Sequence, residues 1–521
     1  MVDNTGDRSP WPALWALCVG FFMILVDTTI VSVETPTILA DLRTDVDAVV
    51  WVTSAYLLAY AVPLLITGRL GDRFGPRRVY LVGLTVFTLA SLWCGFTSTI
   101  GGLIAARVVQ GLGAAVMMPQ TMAVITRTFP AESRGRAMSL WGAVAGVATL
   151  VGPILGGVLV DGLGWEWIFF VNVPIGIAAI FITETKLVNV RATDPQPIDW
   201  PGLVTFSAAL FLLIFGLIRG NAEGWGSPVI VACLAAAAAL LVAFVLIEIH
   251  RRNAMLDMSL FRNPSFAGVS IVAFCLSAGM FSIFLFLTLY MQDVLGYSPL
   301  ETGLRFLPLT LLSFIVAPIS ARLSNRVPFR VLMGVGLLLV GVGLILMNGI
   351  DAGDGWTTLL LGFLIGGAGI GMTNPGIASV AIGVVEPARA GMASGINSTF
   401  RQVGIATGVA ALGAIFQARV DTKLAESLPQ APAAFSDAVS AGAVESALPS
   451  IPPQFRDQAV EAANAAFIGG LNEILLIGAG IAIAGSIASW LLIRSRDMVG
   501  HPAPPEAEAA PEGSGEPVPA R

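Results

Sequence analysis

Apolar runs of about twenty residues recur along this chain, separated by short stretches that collect arginine, glycine and proline. A helix of that length crosses the hydrocarbon of a bilayer, where every backbone N–H and C=O must be satisfied within the segment itself. Such a chain folds as a bundle of transmembrane helices. The runs fall near 14–36, 49–68, 79–98, 101–124, 137–160, 167–185, 201–218, 228–248, 266–290, 304–321, 331–350, 357–378, 392–416 and 467–493, which makes fourteen. Only 12% of the 521 residues are charged, against about 25% in soluble domains. The fold class expected is therefore an all-α polytopic membrane protein.

The connections test this count. Basic residues concentrate in cytoplasmic loops, and with the N-terminus inside, the even loops carry Arg69, Arg73, Arg77 and Arg78, then Arg127, Arg134 and Arg136, and so on through Arg322, Arg326, Arg330 and Arg389. The odd loops are poor in them and carry acids such as Asp41, Asp45, Asp161 and Asp351. This alternation implies an even number of crossings with both termini cytoplasmic. The first run is too long, and wrongly flanked, for a cleaved secretory signal. Residues 417–466 are expected to form short helices on the outer surface, and 494–521, rich in Pro, Glu, Ala and Gly, a disordered cytoplasmic tail.

Cys18, Cys94, Cys233 and Cys275 lie inside apolar runs at no metal-ligand spacing, and His250 and His501 lie outside them. No metal site, cofactor or catalytic residue is expected, and no clustered set for a membrane-bound enzyme is visible.

Against that background Asp27 is conspicuous. A charge at the centre of a span costs on the order of 2.5–3.5 kcal/mol on insertion scales, so an acid there usually faces a wet cavity and marks an ion or substrate path. We read Asp27 as a group that takes up and releases a proton on opposite sides of the membrane. Glu34 follows two turns later on nearly the same face, about 10.5 Å along the axis, and is a candidate for the cavity mouth. In the fourth run Arg107 and Gln110 share a helix face. An intramembrane Arg needs a partner, and Asp27 is the candidate. The guanidinium favours the carboxylate anion while desolvation favours the neutral acid, so movement between wet and dry states would switch its proton.

Three further stretches are singled out. Gly68, Gly71, Asp72, Arg73, Gly75, Arg77 and Arg78 form a Gly-rich turn in which Asp72 can bond a helix start or a facing arginine, a candidate conformational latch. Gly152, Pro153, Gly156 and Gly157 remove a backbone hydrogen bond and permit close contact, which predicts a bent fifth helix. Asn374, and Asn397 with Arg401 four residues on, are expected with Gln110 and Glu34 around a substrate cavity.

The stretch 68–78 resembles the signature between spans two and three of the major facilitator superfamily. Leu25–Pro36 resembles the first-span signature of its fourteen-span drug:proton antiporter family, Leu103–Ala115 the fourth-span signature, and Gly152–Gly157 the antiporter signature. The segments Trp165–Gly176, Tyr290–Gly303 and Gly391–Gln402 fit as well. Ser32, Glu34, Thr35, Pro76, Ala148 and Glu166 depart from the family's usual residues, and Glu34 adds a negative charge that would suit cationic substrates.

The resemblance implies a major facilitator fold, two six-helix bundles plus two inserted helices, fourteen in total, with alternating access between the bundles. The corresponding division is a cytoplasmic N-terminus 1–13, a bundle 14–185, a linker with two helices 186–265, a bundle 266–493 and the tail. It also implies a role for Arg107 in proton transfer. The expected function is proton-coupled antiport that exports amphipathic or hydrophobic small molecules, namely drugs, cationic ones among them, across a bacterial-type inner membrane. The partners are the lipid bilayer and the substrate, with no nucleic acid, and the protein works as a monomer. Export of an endogenous metabolite, siderophore or lipid is the alternative, and a receptor or sensor without proton-driven flux is the alternative of another class.

Overall fold

The computed structural model describes residues 10–30, 38, 41–42, 46–129, 131–187, 199–251, 258–324, 326–386, 389–428, 432–442 and 444–498. Glu34, residues 1–9 and the tail from 499 lie outside them. Among the described residues the chain is helical, with no strand. Eleven helical stretches among the described residues are long and apolar enough to cross a membrane, and Leu307–Leu323 is a shorter apolar helix.

The first half comprises α1 (Trp11–Ile30), α2 (Val46–Ala61), α3 (Leu64–Phe74), α4 (Pro76–Phe96), α5 (Ile100–Thr128), α6 (Ala131–Leu163), α7 (Trp167–Phe170) and α8 (Asn172–Lys186). A hairpin of α9 (Trp200–Glu223) and α10 (Pro228–His250) follows. The second half begins with α11 (Pro264–Leu276) and α12 (Ile283–Leu289), extended by wide turns at Ser277–Phe281 and Tyr290–Val294. It continues through α13 (Pro299–Arg305), α14 (Leu307–Leu323), α15 (Phe329–Met347), α16 (Leu360–Gly383) and α17 (Ala390–Ser427) to α18 (Ala433–Ser440), α19 (Val444–Ala447) and α20 (Arg456–Leu492).

Local chemistry explains several boundaries. Pro63, which has no N–H to donate, separates α2 from α3. The Thr99 hydroxyl accepts the Gly102 amide at 3.2 Å to start α5, and a reciprocal Ser298–Glu301 capping box starts α13. The expected run at 304–321 is thereby divided, with Phe306 between two helices.

Between apolar helices in lipid, association rests on close backbone packing rather than on a hydrophobic driving force. The two halves use the same device on matching helix pairs. A methyl added at Gly83 of α4 would lie 2.8 Å from the Gly113 carbonyl of α5, and one at Gly336 of α15 would lie 2.8 Å from the Gly369 carbonyl of α16. The first-half core reaches across to Ala378, Ile382 and Ala390 of the second half. The α9 helix covers the seam on another side, packing Leu210 and Ile214 with Leu58 and Ala61 of α2 and with Val403 and Ala406 of α17.

Three expectations are corrected. Residues 68–74 are helical, and the reversal narrows to Gly75, whose φ of 91° suits glycine, with Pro76 opening α4. Their glycines serve packing instead, since a methyl at Gly71 would overlap Gln120 Oε1 at 1.7 Å. The tail is ordered as far as Met498, because Ser265 Oγ donates to Asp497 at 2.6 Å and accepts the Arg494 amide at 2.7 Å. Finally, the outer connection starts later than 417. The α17 helix continues to Ser427 and is tied to α20 by the Arg419–Glu473 ion pair at 3.3 Å, and α18 packs against both through the buried Phe435 and Val439.

Candidate functional site

Asp27 lies near the end of α1 and has no exposure to solvent. The arginine four-fifths of a helix turn short of Gln110 reaches it from α5: Arg107 Nη1 donates to Oδ2 at 2.6 Å. Gln110 Nε2 donates to Oδ1 at 2.7 Å, and its own Oε1 accepts Arg107 Nη1 at 2.7 Å. Asn172, the first residue of α8, donates to Oδ1 at 3.3 Å. Behind them Ser91 of α4 accepts from Gln110 at 3.2 Å and Asn172 at 3.1 Å, and donates to the Phe169 carbonyl at 2.9 Å. Four separate helices thus converge on one carboxylate. The three-residue spacing on α5 makes this possible by putting guanidinium and amide on one face.

The arginine has further support. Its Nε donates to the Val52 carbonyl at 3.4 Å, and the guanidinium carbon stands 4.1 Å from the Tyr56 ring centroid and 5.7 Å from that of Phe169. Tyr56 stacks on Tyr60 at 6.1 Å, and Tyr60 meets Gln402 and the charge of Arg401 on α17. A line of contacts therefore runs from the carboxylate of the first half to a helix of the second.

A second polar region lies between the halves. Its lining includes Met118 and Met122 of α5, Trp141 of α6, Asn374 of α16, and Asn397 and Arg401 of α17. Met118 is eleven residues beyond Arg107 on α5, so this cleft sits about 16 Å further toward the arginine-rich end. Here polar atoms are left over: Asn374 Oδ1, Asn397 Nδ2 and Trp141 Nε1 are buried without a hydrogen-bond partner.

The expected residues therefore separate into two groups. Asp27, Arg107 and Gln110 come together, and Gln110 belongs to the carboxylate rather than to the cleft. The carboxylate is enclosed by polar partners and does not face a wet cavity in this conformation. Asn374, Asn397 and Arg401 line the cleft together. Of the latch residues, Gly68, Gly71, Asp72 and Arg73 lie on α3, and the Asp72 side chain is outside the described residues. Arg77 is tied within its own half, to the Glu184 carbonyl at 2.6 Å and carboxylate at 2.9 Å, while Arg78 is the third residue of α4. Gly152, Pro153, Gly156 and Gly157 lie within α6, whose helix runs unbroken through them. Ser91, Asn172, Tyr56 and Trp141 were not expected at these sites. The signal available for Asn172 was a carboxamide inside an apolar run.

Comparison with known proteins bears on the family and the fold. The profile of the Major Facilitator Superfamily matches residues 17–409. The chain is 37% identical over 516 residues to an uncharacterised MFS-type transporter of Mycobacterium tuberculosis, covering 98% of this chain and 84% of that one. It is 35% identical over 491 residues to the tetracenomycin C resistance and export protein of Streptomyces glaucescens, covering 92% and 90%. It is similar, again at 35% identity, to the multidrug resistance protein Stp of Mycobacterium tuberculosis over 82% of this chain and 79% of that one. Among solved structures, the proton:xylose symporter XylE superposes with a TM-score of 0.63 at 12% identity, covering 93% of this chain and 96% of that one, which speaks to the fold.

Proposed function

The chain belongs to the major facilitator superfamily, and from that premise we propose that it exports amphipathic small molecules in exchange for protons by alternating access. It is a multi-pass membrane transporter of bacterial type rather than an enzyme. The observation that carries the proposal is the fully buried Asp27, held by Arg107, Gln110 and Asn172 beside a cleft between the two halves. The names of the relatives, multidrug resistance and antibiotic export, support the cargo class.

In this reading α2 with α3, α6 and α14 cross the membrane along with the eleven longer stretches, giving fourteen spans. The arginine-rich loops and both termini are cytoplasmic, in the inner membrane. The protein acts as a monomer, without cofactor or nucleic acid, and the proton is the coupling ion. Protonation of Asp27 cancels the charge that holds Arg107 Nη1, leaving the guanidinium to Gln110, Val52 and the Tyr56 ring. Through Tyr60 that shift reaches Gln402 and Arg401 in the other half. The electrical part of the driving force is about 2.3 kcal/mol per charge per 100 mV.

The test is dye transport into proteoliposomes under an imposed pH gradient. Wild type should accumulate dye, and Asp27→Asn should lose gradient-driven accumulation; equal flux in the two refutes the role given to Asp27. A second reading is favoured by the relative named for a single compound: the cargo is one secreted metabolite. Deletion would then abolish secretion of that compound and leave tolerance to unrelated drugs unchanged.

A further inference from the structure

We infer that the cleft between the halves selects planar, acceptor-rich neutral or anionic molecules over cations, with Arg401 as the residue that sets this preference. The inference rests on the transport reading for its biological meaning but stands on the cleft's own chemistry.

Arg401 lies on α17 with its guanidinium carbon 5.8 Å from the Phe281 ring centroid. Among the described residues no carboxylate pairs with it. Asp27, the deep acid of the first half, is already engaged by Arg107, Gln110 and Asn172. A cation inside a membrane protein is expensive unless it is paired, and here the lining supplies only neutral groups.

The uncharged lining points the same way. Asn397 is 7% exposed and Trp141 4% exposed, and each has a donor nitrogen without a partner. Asn374 contributes one unmatched acceptor, and Ser394 and Ser398 add hydroxyls. Donors therefore outnumber acceptors, and one of them carries full positive charge. A carboxylate, phenolate or quinone carbonyl would satisfy the guanidinium, the amide and the indole N–H together, whereas an ammonium would meet like charge and a single carbonyl. The Trp141 ring stacks on Phe21 at 4.3 Å, offering a flat wall, and Met118 and Met122 can adapt to different outlines. This differs from the cationic preference expected from Glu34, a residue outside the described ones.

The test is equilibrium binding to the full-length protein in lipid nanodiscs, with two xanthene dyes of similar outline and opposite charge. Anionic fluorescein should bind at least tenfold more tightly than cationic rhodamine 123. Arg401→Gln should weaken fluorescein at least tenfold and erase the preference, and Arg401→Lys should restore most of it. If Arg401→Gln does not fold, Trp141→Phe and Asn397→Leu serve instead, each weakening fluorescein several-fold. Equal or tighter rhodamine binding in wild type, an unchanged dye ratio in Arg401→Gln or in both substitute variants, or no binding of either dye overturns the inference. Binding needs no gradient, so an anion-preferring cleft without proton-driven flux would sink the transport reading alone. Proton-driven flux of cations indifferent to Arg401 would sink this inference alone.

Discussion

The Asp27 cluster and the Arg401 cleft are both polar inclusions in an apolar bundle, but they are finished differently. Around Asp27 no buried side-chain polar atom of Asp27, Arg107, Gln110, Asn172 or Ser91 is left unmatched, and the Tyr56 hydroxyl beside Arg107 is the exception there, whereas around Arg401 the two asparagines and the indole each keep an unmatched atom. A satisfied buried network stabilises one arrangement, and an unsatisfied one is strained until something completes it. The first region holds its charge inside one half, and in the proposed reading the second receives a molecule between halves.

The contrast can be broken most forcefully at the closed cluster. Arg107→Met leaves the Asp27 carboxylate unpaired and should cost about 3–5 kcal/mol of stability, read as a large drop in the thermal unfolding midpoint in detergent. Adding Asp27→Leu should recover most of that loss, since a buried pair replaced by well-packed apolar residues is often neutral or better; a double variant as unstable as the single one would mean that the pair also positions the helices. Ser91→Ala removes one neutral hydrogen-bonding group and should cost about 1 kcal/mol by the same assay. Smallest is Asn397→Ala in the cleft, which breaks no hydrogen bond from Nδ2 and should change stability by less than about 0.5 kcal/mol while weakening ligand binding. A loss comparable to Arg107→Met at Asn397 would erase the distinction between the two regions.

How much of this could be read beforehand depended on whether the cause was local. An acid inside an apolar run has few explanations, and the spacing of Arg107 and Gln110 is a local fact, so that trio was legible. Which neighbour Gln110 faces was not, because one helix face says nothing of what stands opposite. Asn172 reaches the carboxylate from 145 residues away, and Ser91 reaches Gln110 behind it from 19 residues away, and no period along the chain marks that meeting. The glycines of 68–75 signal either a reversal or a close approach, and only the position of Gln120 against Gly71 and the φ of Gly75 show that the first serves packing and the second the reversal. Phe286 and Tyr290 are buried in the second-half core, and no simple spacing marks them, because the wide turns at Ser277–Phe281 and Tyr290–Val294 interrupt the ordinary helical period.

One consequence follows from the length of α17. The helix runs without a break from the cleft residue Arg401 to Ser427, about 39 Å, and so acts as a pointer rooted at the cleft. A tilt of ten degrees at its root would swing the tip by about 7 Å. Spin labels on Ser427 and on Gly162 at the far end of α6 should therefore register the occupancy of the cleft from outside the bilayer, where an antibody fragment could also clamp the motion.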